Sequence, residues 1–395
     1  MDRIIVVGRG MIGSAAARHL AGLTDGVTLI GPDEPADYAA HDGVFASHYD
    51  EGRMTRISDP DPDWAVTSKR SVARYDEIAA ESDISFFTNS RYLGIGGPDR
   101  GYLDRAEAAG RALDADLARL DAAGIRSRFP YLSVPDDADG LFEDRNAGHI
   151  NPRAMVRAQT EAARKRGAEI VNDRVTAIRP VSGGVEVELS SGSVRRAGKV
   201  LIATGGFTDA CGLSPTDLKL RVFGRTVLLG RIEDALADQL SGMPTMGHAE
   251  TGAYILPPIR YPDGHDYLKI GIGTTADPEF RSLQELNRWF KQSGSGANQT
   301  RFQAFLEELI PAVTQCRYWH TATCVVTWTA TGLPYIDHVL DDRIAVAVGG
   351  NGKGAKSSDD WGWIAAHLVA GIDWEHPVDR SRLRIPGSLA RSSAP

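Results

Sequence analysis

Short apolar runs alternate with polar turns at the start of the chain, which is the pattern of an α/β protein. An apolar run at residues 4–7 ends at Gly8, an Ala-rich stretch at residues 11–20 has helical character, and a second apolar run covers residues 27–30. A strand, a helix and a strand within about 30 residues form a β-α-β unit. The sequence therefore predicts an α/β fold that begins at the first residues of the chain.

The rest of the chain alternates between the same two kinds of pattern. Helical patterns are predicted for residues 64–80, 102–123, 152–166 and 283–290, and strand patterns for residues 84–95, 169–178, 184–189 and 197–204. Residues 32–63 differ, because this loop-like stretch holds nine acidic residues but only two basic ones, Arg53 and Arg56. Since single cores stop growing beyond about 250–300 residues, a chain of 395 residues is expected to form two domains.

Composition narrows the classes of partner. A net charge of -8 argues against a general nucleic-acid or anionic-membrane surface, because both are themselves negative. No apolar run approaches the roughly 20 residues that span a bilayer, and a first strand near residue 3 leaves no room for a signal peptide. We therefore expect a cytoplasmic protein that binds small molecules and neither nucleic acid nor membrane; the oligomeric state stays open, and a monomer is compatible with the sequence.

A glycine-rich turn lies between the first strand and the first helix. Gly8, Gly10 and Gly13, with Met11 and Ile12 at the helix start, would let a pyrophosphate approach the backbone and sit on the helix N-terminus. Three glycines at this spacing are weak evidence by themselves. Their position between a strand and a helix is what predicts a dinucleotide site. Where the second strand ends, Gly31 replaces the carboxylate expected to bind the adenosine ribose, and Asp33 and Glu34 are the nearest substitutes.

Three further features carry a resemblance to a known family. They are the segment Ser47-His48-Tyr49-Asp50-Glu51-Gly52-Arg53-Met54-Thr55-Arg56, the loop Gly349-Gly350-Asn351-Gly352-Lys353-Gly354-Ala355-Lys356, and the 13-residue step from Cys324 to Asp337. With the glycine-rich turn, they make the chain resemble the D-amino-acid-oxidase superfamily of FAD-dependent oxidoreductases, and within it the monomeric sarcosine oxidase branch. The match is strongest at both ends of the chain and thin between residues 85 and 250.

The resemblance implies a substrate-carboxylate site. It places Arg56 and Lys356 as two cations that converge on a substrate carboxylate, and Arg53 against the flavin. A guanidinium fork suits bidentate capture of a carboxylate. The alternatives are simple ion pairs between the two arginines and the acids of residues 32–63, and a solvent-facing lysine at a helix start.

The resemblance also implies how FAD is held and used. Cys324 corresponds to the cysteine that forms a thioether to the flavin, and Lys269 to the lysine that assists electron transfer to oxygen; a small buried cysteine and a strand-edge lysine are the alternatives. Cys211 and Cys316 match no such position, and three scattered cysteines predict neither a disulfide framework nor a metal site. Further contacts to the cofactor are expected from Ser47, Val175, Gly205, Gly350, Gly352 and Gly354.

The substrate pocket departs from the family pattern. Tyr254 matches a pocket tyrosine, but Gly273 stands where an active-site histidine is expected, and Val326 replaces a tyrosine. Both changes remove bulk, which predicts a substrate larger than sarcosine, with Trp328 or Tyr49 lining the enlarged space. Another side chain that refilled the pocket would overturn this inference.

Together these features predict a Rossmann-like FAD-binding domain interleaved with a substrate domain built on a mixed or antiparallel sheet. The predicted FAD-binding segments are residues 1–83, 148–219 and 319–395, and the predicted substrate-domain segments are residues 84–147 and 220–318. The implied activity is oxidation of an amino-acid C–N bond to an imine, with O2 reduced to H2O2. There are three alternatives: a dehydrogenase or demethylase that uses another acceptor, a flavin-binding sensor or assembly protein without turnover, and a nicotinamide-dependent dehydrogenase.

Overall fold

The computed structural model describes residues 2–37, 40, 41, 43 and 46–387, and within these ranges the chain forms three sheets flanked by helices. The strands, in chain order, are β1 (Asp2–Val7), β2 (Val27–Ile30), β3 (Arg53–Thr55), β4 (Phe87–Thr88), β5 (Tyr92–Gly96), β6 (Leu117–Asp121), β7 (Asp139–Glu143), β8 (Gly148–Ile150), β9 (Glu169–Val171), β10 (Val175–Val181), β11 (Gly184–Leu189), β12 (Val194–Ile202), β13 (Arg221–Ile232), β14 (Thr245–His248), β15 (Ala253–Arg260), β16 (Asp266–Gly271), β17 (Glu279–Phe280), β18 (Trp319–Trp328), β19 (Tyr335–Leu340) and β20 (Ile344–Val348). The helices are α1 (Met11–Ala21), α2 (Pro62–Val72), α3 (Tyr75–Ser82), α4 (Gly101–Arg111), α5 (Ala122–Arg128), α6 (Pro152–Lys165), α7 (Phe207–Ala210), α8 (Asp234–Gln239), α9 (Leu283–Phe290), α10 (Gly296–Leu309) and α11 (Gly354–Ala370), with 3₁₀ turns at Pro311–Gln315 and Arg380–Leu383.

The first sheet has a parallel centre. Strands β20, β12, β1, β2 and β9 pair in parallel in that order, while β10 and β11 extend the sheet antiparallel beside the first half of β12. Helix α1 packs against α6 and α11. A Cβ on Gly362 of α11 would lie 2.5 Å from Cβ of Ala15 in α1, so the two helices cross in close contact. The two ends of the chain therefore meet on one sheet.

The second sheet is mostly antiparallel and has two different faces. Its strands follow the order β17-β13-β16-β15-β14-β5-β7-β6, with β18 on β13. Leu228 and Ile270 belong to a buried cluster with Phe302 and Leu306 of α10, so that helix covers one face. The opposite face, called the pocket face here, carries the residues of β13, β15, β16 and β18 that alternate with these core positions.

The predicted elements agree with the structure in part. Strand β2 and helix α9 have the predicted bounds, but residues 64–80 form two helices, residues 102–123 include strand β6, and α10 was not predicted. Helix α10 was not predicted because it begins at Gly296, directly after a Ser-Gly repeat that is typical of a loop. The predicted domain boundaries stay a prediction, although β18, placed in the last FAD-binding segment, pairs with β13 in the second sheet.

Two properties of the described ranges bear on partners. None of their helices is both long and apolar enough to cross a bilayer. Within the same ranges, no cluster of three or more His, Cys, Asp or Glu side chains is arranged to hold a metal ion.

Candidate active site

The glycine-rich turn lies at the carboxyl edge of the parallel strands. Strands β1, β12 and β20 end together at this edge, which is where open α/β sheets bind their ligands. Gly8 has φ of +108°, and a Cβ there would lie 2.5 Å from the carbonyl oxygen of Ala203. A Cβ on Gly13 would overlap the carbonyl oxygen of Gly8, so only glycine permits this tight turn.

The surroundings of the turn fit a bound dinucleotide. Neither α1 nor α11 has a side-chain hydrogen bond at its N-cap, so the N–H groups of both first turns can serve a ligand. A Cβ on Gly10, Gly205 or Gly354 would meet no described atom within 4 Å. His48 is buried, and its Nδ1 has no hydrogen-bond partner among the described residues, as expected where a polar group is missing.

Packing explains the missing carboxylate at position 31. A Cβ on Gly31 would lie 2.6 Å from Cβ of Arg9, so the glycine-rich turn occupies the space that a side chain would need. Asp33 forms an ion pair with Arg9, and Glu34 forms one with Arg153 of α6. Asp33 and Glu34 therefore both lie in ion pairs, and binding of the ribose by either of them stays a prediction.

The pocket face of the second sheet brings together most of the predicted pocket residues. Register and strand alternation place six of them on this face: Tyr254, Lys269, Gly273, Cys324, Val326 and Trp328. The loop before α11 is attached beside them, because Asn351 donates its backbone N–H to Thr327 over 2.8 Å. The sheet thus carries the predicted substrate pocket to the edge of the dinucleotide site.

The predicted catalytic cations, Lys269 and Arg53, converge on one carboxylate. Lys269 Nζ donates to Asp50 Oδ2 and to the carbonyl oxygen of Gly52, both over 2.6 Å. Arg53 forms an ion pair with the same Asp50, and the Tyr261 hydroxyl donates to its other oxygen over 2.6 Å. Asp50 is therefore the centre of a buried four-residue group, called the Asp50 cluster here.

Burial and charge set the protonation states of the Asp50 cluster. Burial lowers the pKa of Lys269 to about 8, and the charge of Asp50 limits this fall. Burial alone would raise the pKa of Asp50, but Lys269 and Arg53 outweigh it and hold that pKa well below its ordinary value. Burial raises the pKa of the Cys324 thiol, so this side chain is neutral near pH 7. The cluster keeps one excess positive charge when Lys269 is protonated.

The predicted carboxylate anchors, Arg56 and Lys356, also lie together, around an internal acid. Lys356 Nζ donates to Asp59 Oδ2 over 2.7 Å, and Lys353 Nζ donates to Asp59 Oδ1 over 2.8 Å. Arg56 lies 3.6 Å from Asp59 and donates to the Tyr102 hydroxyl over 3.2 Å. These three cations and Asp59 are called the Asp59 cluster here. Three positive charges around one carboxylate give the cluster a net positive charge, which favours binding of an anion.

Arg56, Asp59 and Lys356 of the Asp59 cluster are buried, whereas the Lys353 side chain is 36% exposed. Burial lowers the pKa of Lys356 to about 8, against the raising effect of Asp59. Burial alone would raise the pKa of Asp59, but Lys356 and Arg56 reverse this and hold it well below its ordinary value. A carboxylate that bound to Arg56 and Lys356 would meet two cations that are already desolvated, which strengthens charge-assisted hydrogen bonds.

The remaining predicted residues have varied positions. Ser47 accepts a backbone hydrogen bond from Val325 over 2.9 Å, and Val175 is buried in the core of the first sheet. Tyr49 packs against a hydrophobic cluster that contains Val325. The side chain of Val325 is on the face of β18 opposite to that of Cys324. The space beside Gly273 is partly filled by Arg225, 3.3 Å from the Cβ position. This partial refilling counts against an enlarged pocket at Gly273, so a substrate larger than sarcosine stays a prediction.

Sequence reasoning missed Asp50, Asp59 and Arg225 as site residues. Asp50 and Asp59 lie within residues 32–63, where no local pattern distinguishes them from the other seven acidic residues. The signal for Arg225 was a charged residue inside the apolar run of β13, next to Gly224. Only the pairing of β13 with β16 and β18 shows that this side chain is on the pocket face.

Known proteins resemble the chain over nearly its whole length. The sequence model of the family described as FAD dependent oxidoreductase matches residues 3–370. The N-methyl-L-tryptophan oxidase of Salmonella heidelberg is 24% identical over 382 residues, which cover 93% of this chain and 94% of that protein.

Solved structures share the fold at low identity. The L-proline dehydrogenase of P. horikoshii superposes with a TM-score of 0.78 at 16% identity, covering 99% of this chain and 98% of that one. The open form of NikD, an unusual amino acid oxidase essential for nikkomycin biosynthesis, gives a TM-score of 0.74 at 18% identity and covers 98% of both chains. These similarities confirm the predicted α/β architecture with a Rossmann-like FAD-binding part.

Proposed function

Because the chain belongs to the family of FAD-dependent oxidoreductases, we propose that it oxidises the C–N bond of a secondary or N-alkyl amino acid to an imine. O2 is reduced to H2O2, and water hydrolyses the imine. The observation that carries the proposal is that the predicted site cations gather in two clusters, around Asp50 and Asp59, each with more positive than negative charge. The relative named N-methyl-L-tryptophan oxidase supports a substrate larger than sarcosine.

Each cluster has a role in this reaction. FAD held at the glycine-rich turn of Gly8, Gly10 and Gly13 would supply the two-electron redox chemistry that couples amine oxidation to reduction of O2. Arg56 and Lys356 bind and orient the amino-acid carboxylate, at the cost of loosening their contacts with Asp59. Lys269, with Arg53 beside it, supplies positive charge where oxygen gains electrons. Cys324 is the proposed site of a covalent link to FAD, since it is the buried thiol of the pocket face.

The clusters contain no carboxylate that is free to act as a base. Asp50 and Asp59 are ionised, but each already accepts hydrogen bonds from cations. His149 of β8 is close enough to the Asp50 cluster to sense the charge of Lys269, and burial together with this charge lowers its pKa to about 4, which makes it a poor proton acceptor at neutral pH. The substrate amine is therefore expected to bind as the free base, and the pH profile of turnover should follow the ionisation of that amine.

The test begins with the visible spectrum of the purified protein. An anaerobic panel of N-methyl, cyclic and primary amino acids should include one class that bleaches the flavin, and admission of air should restore the colour with one peroxide per turnover. Lys269→Met should slow the recovery in air without preventing anaerobic bleaching, whereas the matched variant of the exposed Lys291, Lys291→Met, should leave it unchanged. Failure of every amine to bleach the flavin would contradict the proposed function.

A second candidate is an amino-acid dehydrogenase that passes electrons to another acceptor. The observation in its favour is that Lys269 is held by both Asp50 and the Gly52 carbonyl, which reduces the charge available to oxygen. Bleaching by an amino acid followed by very slow recovery in air would support this candidate. Addition of an artificial electron acceptor would then restore the colour quickly.

A further inference from the structure

A guanidinium group lies in the space that Gly273 leaves open. A Cβ at position 273 would be 3.3 Å from Nη2 of Arg225 and 3.5 Å from its Nε. Arg225 is directly opposite Cys324 in the pairing of β13 with β18. Gly273, Arg225 and Cys324 therefore form one row across the pocket face.

A buried acid holds one edge of this guanidinium. Arg225 Nη1 forms an ion pair with Asp277, whose side chain is only 3% exposed. The backbone N–H of Thr274 donates to Asp277 over 2.8 Å, and the hydroxyl of Thr274 donates over 2.9 Å. Because both oxygens of Asp277 are engaged, Arg225 is positioned by a carboxylate that cannot easily turn away.

The other edge of the guanidinium is open. In the described part of the chain, no residue accepts a hydrogen bond from Nε or Nη2 of Arg225, and its side chain is 18% exposed. These two groups carry the parallel N–H bonds that match the two oxygens of a carboxylate. With a neutral substrate group, these two N–H groups would stay hydrogen-bonded to water, whereas a carboxylate would accept hydrogen bonds from both.

We propose that Arg225 binds a second anionic group of the substrate, so that the preferred substrate is a secondary amine with two carboxylates, such as an N-carboxyalkyl amino acid. This inference rests on the proposed function and names its substrate class. One carboxylate binds at Arg56 and Lys356, and the other binds at the open edge of Arg225. The amine nitrogen of such a molecule lies between its two carboxylates.

The first test measures binding without turnover. Oxydiacetate and methoxyacetate are unreactive ethers with two carboxylates and one carboxylate, and both can be titrated into the holoenzyme while the flavin absorbance is followed. The wild type should bind oxydiacetate about 10- to 100-fold more tightly, as expected for one charge-assisted bidentate contact. Arg225→Met should abolish this preference, and Arg225→Lys, which keeps the charge without the fork, should retain part of it.

Arg221 offers a matched control on the same strand and face. It forms an ion pair with Glu279 at 2.8 Å and lies 4.8 Å from the ring of Phe223, much as Arg225 pairs with Asp277 and lies 5.7 Å from that ring. Arg221→Met should keep the preference for the diacid. Equal loss in both variants would show a general effect of charge on the strand and would overturn the role of Arg225.

The second test measures turnover with iminodiacetate and sarcosine. Arg225→Met should lower kcat/KM for iminodiacetate about 10- to 100-fold and leave that for sarcosine within about twofold. Equal binding of the two ethers by the wild type, which needs no variant, would refute the second anion site while the oxidase function could stand. If no amine bleaches the flavin but oxydiacetate is still preferred, the proposed reaction fails and the anion site remains.

Discussion

Asp50→Asn is expected to destabilise the protein more than Lys269→Met, although the two residues share one ion pair. The first substitution would leave both Lys269 and Arg53 without their carboxylate, and Lys269 is only 1% exposed. Removing one partner of a buried pair costs about 3–5 kcal/mol, because the remaining charge is uncompensated. Lys269→Met instead leaves Asp50 with Arg53 and Tyr261, so the cost is that of lost charge-assisted hydrogen bonds, about 1.5–3 kcal/mol.

The pH dependence of the Asp50→Asn deficit adds an independent check. Asp50 supports the protonated form of Lys269, so its removal lowers the pKa of Lys269 further below about 8. At pH 6.5 the wild type keeps Lys269 protonated beside Asp50, whereas the variant must either bury an uncompensated ammonium or lose its proton. At pH 9 Lys269 is mostly deprotonated in both folded proteins, so this difference between them nearly disappears. The deficit in unfolding free energy should therefore be larger at pH 6.5 than at pH 9.

The assay is chemical denaturation of the holoenzyme at both pH values, with flavin release and far-UV circular dichroism followed together. Asp238→Asn, at an exposed acid of α8, controls for loss of a negative charge alone and should change the midpoint little. A deficit for Asp50→Asn that is no larger than that for Lys269→Met, or that does not change with pH, would refute this account of the cluster.

Three other outcomes follow from the site. Cys324→Ala should move flavin absorbance from the acid-precipitated pellet to the supernatant, whereas Cys316→Ala should leave it in the pellet; flavin that is soluble in the wild type would disprove the covalent link. Gly13→Ala should reduce the flavin bound per protein in the purified sample, because its Cβ would overlap the carbonyl oxygen of Gly8. Burial lowers the pKa of Lys356 from 10.5 to about 8, so the folded state binds fewer protons between these pH values and stability rises with pH there. Lys356→Met should remove about 2 kcal/mol of that rise in denaturation experiments at pH 7.5 and 10, and an unchanged slope would contradict the shift.

Several features could be predicted from the sequence because they depend on neighbours along the chain. The β-α-β unit, the tight glycine turn and helix α9 follow from local periodicity, glycine conformation and capping, and they match the structure. Ser282 and Glu285 form a complete capping box at the start of α9, which explains why its bounds were predicted without error. The resemblance to a family adds predictions that local patterns cannot make, since its short motifs assign Lys269 and Arg53 to one site without any knowledge of their contacts.

Tertiary structure alone decided which charges meet. Asp50 is 219 residues from Lys269, Asp59 is 297 residues from Lys356, and Arg225 is 52 residues from Asp277. Strand register and helix packing bring these partners together, and neither can be derived from local preferences. The net charge of each cluster, the lowered pKa values of the two lysines and the open edge of Arg225 therefore follow from burial and pairing in the folded chain, because a charge acquires these properties only when other elements exclude water from it.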